Sequence, residues 1–327
     1  MLAALLLWGC STTPAGEEVT ISAEAGTLTF AVLGDPGTGD HVQHNVGTCL
    51  AEICAVKDCA MALVLGDNIY DDGVSSIDDP LFDERFEAPY AAVRFPFYVA
   101  PGNHDYGWHG MAIPTPWSDD KIQLQIDYSA QSDKWTMPGR YFSVREESGL
   151  AAFVAMDTTR LVWTKDAAQV DWIEETVGGL DETWRFAFGH HTIRSNGKHG
   201  NSGRYPVIEG ATGAPLQRVF DDHLCGGVDV VFTGHDHNLQ WHAADCGTEV
   251  VVSGSAGKFR PLRDRAEWHN AEPVFPDGDA SAAEQPGFML VELTADRLTG
   301  SFYGPGEGTA PEPCDPDSPL FQRTIER

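Results

Sequence analysis

Five short loops in this sequence carry carboxylate, imidazole and amide side chains. Each loop begins with a glycine and follows a short apolar run, and the five are Gly34-Asp35-Pro36-Gly37, Gly66-Asp67-Asn68-Ile69-Tyr70, Gly102-Asn103-His104-Asp105, Gly189-His190-His191 and Gly234-His235-Asp236-His237. Their oxygen and nitrogen donors are numerous enough for two cations of borderline hardness, and no thiolate is among them. We expect each glycine to let the chain turn sharply as it leaves the apolar run.

Taken one at a time, these loops are weak signals. An aspartate in the position of Asp35 usually caps a helix or stabilises a turn. His235 and His237 alternate on an extended segment and would point the same way, but such a pair could equally be a hydrogen-bonded part of a core. Five such loops together are a far stronger signal, and they predict a site for two cations.

The apolar runs have the length and composition of β-strands. Each is short, rich in β-formers and stopped by glycine or aspartate, and the seven are Leu28–Leu33, Ala62–Leu65, Phe97–Val99, Ala151–Ala155, Arg185–Phe188, Val228–Phe232 and Glu249–Ser253. Apolar residues at three- and four-residue intervals predict helices over His44–Val56 and Ala167–Val177, so part of the sheet should be parallel with crossover helices. Gly287–Leu293 and Leu298–Tyr303 predict a final antiparallel pair. Because ligands bind at the carboxyl ends of strands in α/β sheets, we expect all five loops at one edge.

The charge of the chain limits its partners. Of 327 residues, 21 are basic and 49 acidic, which gives a net charge of −28 at pH 7. Such a chain repels polyanions, so we expect no nucleic-acid partner, and bound cations would be needed at a site that handles anions. No repeat or change of composition divides the chain, and we predict one domain over residues 26–305, a Pro-rich covering segment over 306–327, and a monomer.

The first residues, Met1–Gly9, form an apolar run that is too short to span a bilayer. The run ends in Leu7-Trp8-Gly9-Cys10 and is similar to a bacterial lipoprotein signal in which Cys10 is lipidated. Residues 1–10 would then be the signal with its lipidation cysteine, and residues 11–25 a polar tether. A plainly cleaved signal and a buried or artefactual segment are the alternatives. We expect an exported protein, either anchored to a membrane through this lipid or periplasmic or extracellular.

Without Cys10, six cysteines remain, an even number that suits disulfides in an oxidising compartment. Cys54–Cys59 and Cys225–Cys246 are the local pairs that we favour, and Cys314 should fix the covering segment. A zinc knuckle is the competing interpretation, but no CxxC pair is present.

In their order along the chain, the five loops resemble those of the calcineurin-like metallophosphoesterases, and within them the purple acid phosphatases of the small, tartrate-resistant type. Tyr70 is the discriminating residue, because the purple enzymes have Gly-Asp-x-x-Tyr and most of the wider superfamily lacks a ligand there. The resemblance extends from Thr27 to Tyr303 and includes Trp135 before Pro138 and Tyr141, Asp157-Thr158, Gln169–Trp172 and Gly234–Gln240. It implies a two-sheet β-sandwich with mixed sheets flanked by helices, a four-layer α/β/β/α fold.

The resemblance also implies which residues bind the two metals. Asp35, Tyr70 and His237 would hold a ferric ion, Asp67 would bridge, and Asn103, His190 and His235 would hold a divalent ion. Phenolate and carboxylate are hard donors that suit Fe(III), whereas imidazole and amide suit divalent Fe, Zn or Mn. The implied activity is hydrolysis of phosphate monoesters by in-line attack of a metal-bound hydroxide.

Further residues of the resemblance would contact the substrate. His104 and His199 would bind phosphate oxygens together with Asn103 and protonate the leaving alkoxide, although His199 could instead be an exposed loop residue. His191 either lines the substrate mouth or caps its loop. The segments 106–120 and 260–269 have no counterpart. A phosphodiesterase of the same superfamily and a surface binding lipoprotein on this scaffold are the alternative functions.

Overall fold

Two mixed sheets of seven strands each form the centre of the protein. The computed structural model describes residues 16–23, 26–107, 118–205, 213–243, 246–264, 273–277, 280–309 and 313–327. The first sheet has the order β1 (Glu17–Ile21), β6 (Phe142–Glu146), β7 (Ala151–Ala155), β8 (Trp184–Gly189), β9 (Val230–Thr233), β11 (Glu249–Ser253) and β10 (Leu239–His242). The second has the order β14 (Phe321–Glu326), β13 (Arg297–Tyr303), β12 (Phe288–Thr294), β2 (Thr27–Leu33), β3 (Met61–Leu65), β4 (Phe97–Ala100) and β5 (Trp135–Thr136).

The sheets pack face to face through an aromatic core. The ring of Phe30 on β2 lies 5.0 Å from that of Phe153 and 5.6 Å from that of Phe186 in the opposite sheet, both in edge-on geometry. Side chains alternate along β2, so that Phe30 and Val32 belong to this inner core while Leu33 belongs to the core on the other face. Burial on both faces explains why the strands are continuous apolar runs.

Helices cover the outer faces of both sheets. On the second sheet these are α1 (His41–Lys57) and α2 (Asp119–Tyr128), and on the first sheet α3 (Thr158–Trp163), α4 (Ala167–Gly178) and α5 (Ala214–Val219). Two five-residue π-helical segments, Asp83–Glu87 and Phe220–Leu224, add to the covering layers. The predicted four-layer fold is therefore confirmed. Among the described residues, no helix is both long and apolar enough to cross a membrane.

The predicted strands are confirmed to within two residues at their ends. β2, β3 and β4 are parallel, as are β7, β8, β9 and β11, and β12 and β13 form the expected antiparallel pair. Both predicted helices are present as α1 and α4.

The sheets extend beyond both ends of the domain predicted over residues 26–305. β1 lies within the predicted tether and pairs with β6, and β14 lies within the predicted covering segment and pairs with β13. Every second residue of β14 is exposed, as in an edge strand that covers little core. The sequence of β14 therefore has no continuous apolar run of the kind that predicts the central strands.

Three disulfides join the six cysteines after Cys10. Cys54–Cys59 and Cys225–Cys246 confirm the predicted local pairs. The third, Cys49–Cys314, joins α1 to the C-terminal segment across 265 residues of sequence, and Asn45 of the same helix donates a hydrogen bond to the carbonyl of Gly308. The covering segment is thus fixed by Cys314 as expected. Cys10 and the rest of residues 1–15 lie outside the described residues.

Candidate metal centre

The five donor-bearing loops meet at one end of the sandwich, but they come from both sheets. Asp35, Asp67 and Asn103 follow β2, β3 and β4 of the second sheet, and His190 and His235 follow β8 and β9 of the first. The backbones are joined by hydrogen bonds, since the amide of Asp35 donates to the carbonyl of Gly66 over 3.1 Å. As predicted, the donor residues follow the carboxyl ends of parallel strands. These strands belong to two sheets and not to one.

The sharp turns lie mostly on the donor residues themselves. Asp35, Asp67 and His235 have positive φ angles of 59°, 53° and 66°, which non-glycine residues seldom adopt. Of the five glycines that begin the loops, only Gly66 shares this conformation. Gly102 instead allows two loops to pack closely, because a Cβ atom there would lie 2.1 Å from the backbone nitrogen of Asp67. The expectation that each glycine makes the turn is therefore wrong for four of the five loops.

One group of donor atoms consists of Asp35, Tyr70 and His237. The Tyr70 hydroxyl donates to Oδ1 of Asp35 over 2.9 Å and lies 3.4 Å from Nε2 of His237. That nitrogen is also 3.4 Å from Oδ1 of Asp35. All three residues are buried. A phenol, a carboxylate and an imidazole thus converge on one point.

A second group consists of Asn103, His190 and His235. Nε2 of His190 lies 3.0 Å from Oδ1 of Asn103 and 2.9 Å from Nδ1 of His235. Nδ1 of His190 lies 2.9 Å from the carbonyl oxygen of Leu65, which can only accept, so this nitrogen carries the proton. With Nδ1 turned to this carbonyl, His190 presents Nε2 to the other donors, which is the arrangement of a metal-ligating histidine.

Asp67 lies between the two groups. Its Oδ2 is 3.4 Å from Nε2 of His190, and the donor atoms of Asp67, His190 and His235 all lie within 4.8 Å of one another. Towards the first group, its charge helps to raise the pKa of Tyr70. Its Oδ1 accepts a hydrogen bond from the amide of His104 over 2.9 Å. Asp67 is thus placed to contact both groups.

The electrostatics of the site suit cations. Burial raises the pKa of Asp35 to about 7. Burial together with the charge of Asp35 raises the pKa of Tyr70 well above 10. Burial lowers the pKa of His237 to about 4 and that of His235 well below 6.5, which keeps both imidazoles neutral and able to ligate. A bound cation would reverse the penalty on the buried anions. The donor set therefore fits metal ions, with hard oxygens in one group and mainly imidazole in the other.

The two histidines predicted to contact substrate lie beside the donors. Nδ1 of His104 is 2.6 Å from the carbonyl oxygen of Asp71, and its Nε2 is 3.9 Å from Oδ2 of Asp67. The ring of His199 lies 4.0 Å from that of His235, and burial lowers its pKa to about 4. His199 is thus part of the site wall, which favours this placement over a solvent-exposed loop residue.

His191 lies beneath the site. It is 2% exposed, its Nδ1 is 3.1 Å from Oγ1 of Thr158, and its ring packs 4.6 Å from that of His235. Of the two interpretations offered by the sequence, this position favours the structural one, because a buried ring does not reach a substrate mouth.

Two further carboxylates organise the loops, and the sequence assigned them no role. Buried Asp105 accepts hydrogen bonds from the amides of Asn68, Ile69 and Gly102. Asp236 accepts from the hydroxyl of Ser195 and the amides of His199 and Gly200. Both stand within motifs quoted above, but their partners are distant in sequence, so only the folded chain shows what they hold.

Comparison with known proteins places this chain among phosphoesterases. The model of the calcineurin-like phosphoesterase family matches residues 28–239. The chain is 28% identical to purple acid phosphatase 4 of Arabidopsis thaliana over 308 residues, which cover 85% of this chain and 80% of that protein. It is 27% identical to the tartrate-resistant acid phosphatase type 5 of Rattus norvegicus, with 85% and 87% covered.

Solved structures share the fold. The purple acid phosphatase PPD1 from yellow lupin seeds superposes with a TM-score of 0.63 at 17% identity over 96% of this chain and 55% of that one. GAP50, described as the anchor in the inner membrane complex of Plasmodium, superposes with a TM-score of 0.66 at 20% identity over 89% and 90%. The family match covers all five donor-bearing loops, and the chain belongs to the calcineurin-like phosphoesterases as a metal-dependent hydrolase of phosphate esters.

Proposed function

We propose that this protein is a purple acid phosphatase that hydrolyses phosphate monoesters at a dinuclear metal centre. The observation that carries the proposal is the position of the Tyr70 hydroxyl, 2.9 Å from Asp35 and 3.4 Å from His237. A phenolate ligand distinguishes the purple enzymes from other members of the superfamily. The sequence relatives named as purple and tartrate-resistant acid phosphatases support the same activity.

The two donor groups would hold different ions. Asp35, Tyr70 and His237 would bind a ferric ion, Asn103, His190 and His235 a divalent Fe, Zn or Mn, and Asp67 would be shared. When bound, two such ions clamp a phosphate and lower the pKa of water, so that hydroxide is available for in-line attack. No side-chain nucleophile is required.

The protein's own contribution is to bind the ester and to move a proton. His104 would contact a phosphate oxygen and protonate the leaving alkoxide through Nε2, because its Nδ1 faces the Asp71 carbonyl. Asn103 and His199 would bind further phosphate oxygens. The pKa of His199 is lowered by burial, so this side chain stays neutral above about pH 4 and donates from one nitrogen only.

Metal analysis, a visible spectrum and paired substrates test the proposal. We expect two metal ions per chain, an absorption band in the middle of the visible range, and hydrolysis of 4-nitrophenyl phosphate at acidic pH. Hydrolysis of bis(4-nitrophenyl) phosphate should be much slower. A colourless protein that prefers the diester would support the phosphodiesterase alternative, and a protein without activity on either ester would support a binding role.

We also propose that the protein is exported. Three disulfides support this location, since they persist in oxidising compartments. Lipidation of Cys10 would add a membrane anchor. Cys10→Ser should then move the protein from the membrane fraction to the soluble exported fraction at unchanged specific activity, and a variant that stays with the membrane would disprove the anchor.

A further inference from the structure

Two cationic side chains line the mouth of the metal centre in a protein that is strongly acidic. Lys198 and Arg260 border the same small cavity as His199, His235 and His237. Both cations are exposed. We call this pair the cationic rim. With 21 basic against 49 acidic residues in the whole chain, a pair of cations at this position is unexpected unless it has a partner.

The rim is held in place by backbone hydrogen bonds. The amide of Arg260 donates to the carbonyl of His237 over 2.7 Å, which fixes the backbone of Arg260 beside that of a donor residue of the first group. The amide of Arg263 donates to the carbonyl of Asn196 over 3.1 Å, and its guanidinium donates to the carbonyl of Lys198 over 2.6 Å. Arg263 therefore joins the two segments that carry the rim.

Nearby carboxylates do not neutralise the rim. Asp236, which lines the same cavity, is buried and accepts from Ser195, His199 and Gly200. Asp71 lies 3.5 Å from the ammonium group of Lys258, a third cation at the site. Within the described parts of the chain, no carboxylate forms an ion pair with Lys198 or Arg260. The rim is thus available to an anion from solution.

We infer that Lys198 and Arg260 form a subsite for a second phosphate group, carried by the leaving group of the substrate. The preferred substrates would then be phosphate esters or anhydrides with at least two phosphates, of which the metal centre binds one and the rim the other. Arginine and lysine both bind phosphate oxygens. The inference rests on the proposed function, because it names the substrate class of that same site.

Binding of two phosphonates, which are not hydrolysed, tests the subsite separately from catalysis. Methylphosphonate has one anionic group and methylenediphosphonate has two. Calorimetry of the metal-loaded protein should give tighter binding of the diphosphonate. Lys198→Gln and Arg260→Gln should each reduce this preference about 1.5- to fivefold, the range of an exposed charge pair, while Arg260→Lys should retain most of it. Metal content is measured for every variant, so that loss of ions is not mistaken for loss of the subsite.

Arg297→Gln is the matched control, since it removes one exposed positive charge at the start of β13, away from the metal centre. It should leave the preference unchanged. Equal preference in the wild type and both rim variants would overturn the inference, as would the same loss in Arg297→Gln. Hydrolysis of 4-nitrophenyl phosphate by the wild type, measured in parallel, shows whether the proposed function itself holds, so the two failures are distinguishable.

Discussion

The hydroxyl of Tyr70 lies 2.9 Å from Oδ1 of Asp35, although the two residues belong to loops that follow different strands. The distance is that of a hydrogen bond between a phenol and a carboxylate, and both groups are buried. Burial and two neighbouring carboxylates raise the pKa of Tyr70 well above 10. A cation that replaces the proton would therefore favour the phenolate form here.

Tyr70→Phe should therefore abolish the visible absorption band of the iron-loaded protein. Phenylalanine fills the same space but cannot supply a phenolate to the ferric ion. Absorption spectra at equal iron content measure the effect. Tyr90→Phe is the control, because Tyr90 is equally buried but lies against Gln43 on α1. A Tyr70→Phe protein with the parent's colour would contradict the purple assignment.

His104→Asn should impair hydrolysis most when the leaving group is a poor one. An alkyl alkoxide needs a proton in the transition state, whereas 4-nitrophenolate leaves with little help. We expect a loss of about 10²–10⁴-fold in kcat/KM for an alkyl phosphate and a much smaller loss for 4-nitrophenyl phosphate. His44→Asn, at an exposed position of α1, should change neither. Equal losses on both esters at equal metal loading would refute the general-acid role.

Asp105→Asn should weaken metal binding without removing a ligand. Its carboxylate holds the amides of Asn68 and Gly102, which flank Asp67 and Asn103. Loss of such orienting contacts typically costs about 10–100-fold in metal affinity. Titration with a competing chelator measures the affinity. Asp79→Asn also removes a carboxylate that holds a turn, through Ser75 and Leu81, and should leave the affinity unchanged. If both variants retain the parent's affinity, Asp105 has no positioning role.

Removal of Cys49–Cys314 should destabilise the protein more than removal of Cys54–Cys59. The first bond spans 265 residues of sequence and the second spans 5. The chain-entropy model gives about 5.5 kcal/mol for the long loop and about 2 kcal/mol for the short one. Urea unfolding of the two double-alanine variants compares them. An equal loss of unfolding free energy would show that the C-terminal segment contributes no such constraint.

His242 should make the protein less stable in acid. Burial lowers the pKa of this side chain from 6.5 to about 4, so the unfolded chain takes up a proton between these pH values that the folded protein does not. The unfolding free energy therefore falls as the pH decreases through this window, by at most about 3 kcal/mol at pH 4. His242→Gln should remove this part of the dependence in urea unfolding followed from pH 7 to 4. A curve parallel to that of the parent would show that His242 titrates normally.

The sequence predicts which residues carry the donor atoms better than it predicts the strand pairing and the contacts around them. The strands that precede Asp35 and His190 are buried on both faces, so their apolar runs are evident without any knowledge of pairing. The division of these strands between two sheets depends on β2 pairing with β12, more than 250 residues later, and no local pattern encodes such a contact. The burial of His191 and the contacts of Asp105 likewise depend on neighbours that only folding supplies.

The edge strands give little sequence signal for a related reason. β14 alternates exposed and half-buried residues, and its polar composition suits a strand that has a neighbour on one side only. Hydrophobic patterning detects burial, and a strand with little burial gives little signal.

The division of the donors between the two sheets makes metal binding and folding interdependent. Asp35, Asp67 and Asn103 are attached to one sheet, and His190 and His235 to the other. An ion held jointly by Asp67 and His190 would connect the two sheets, and it would bind the native state in preference to the unfolded chain. By mass action the melting temperature should then rise with the concentration of free metal.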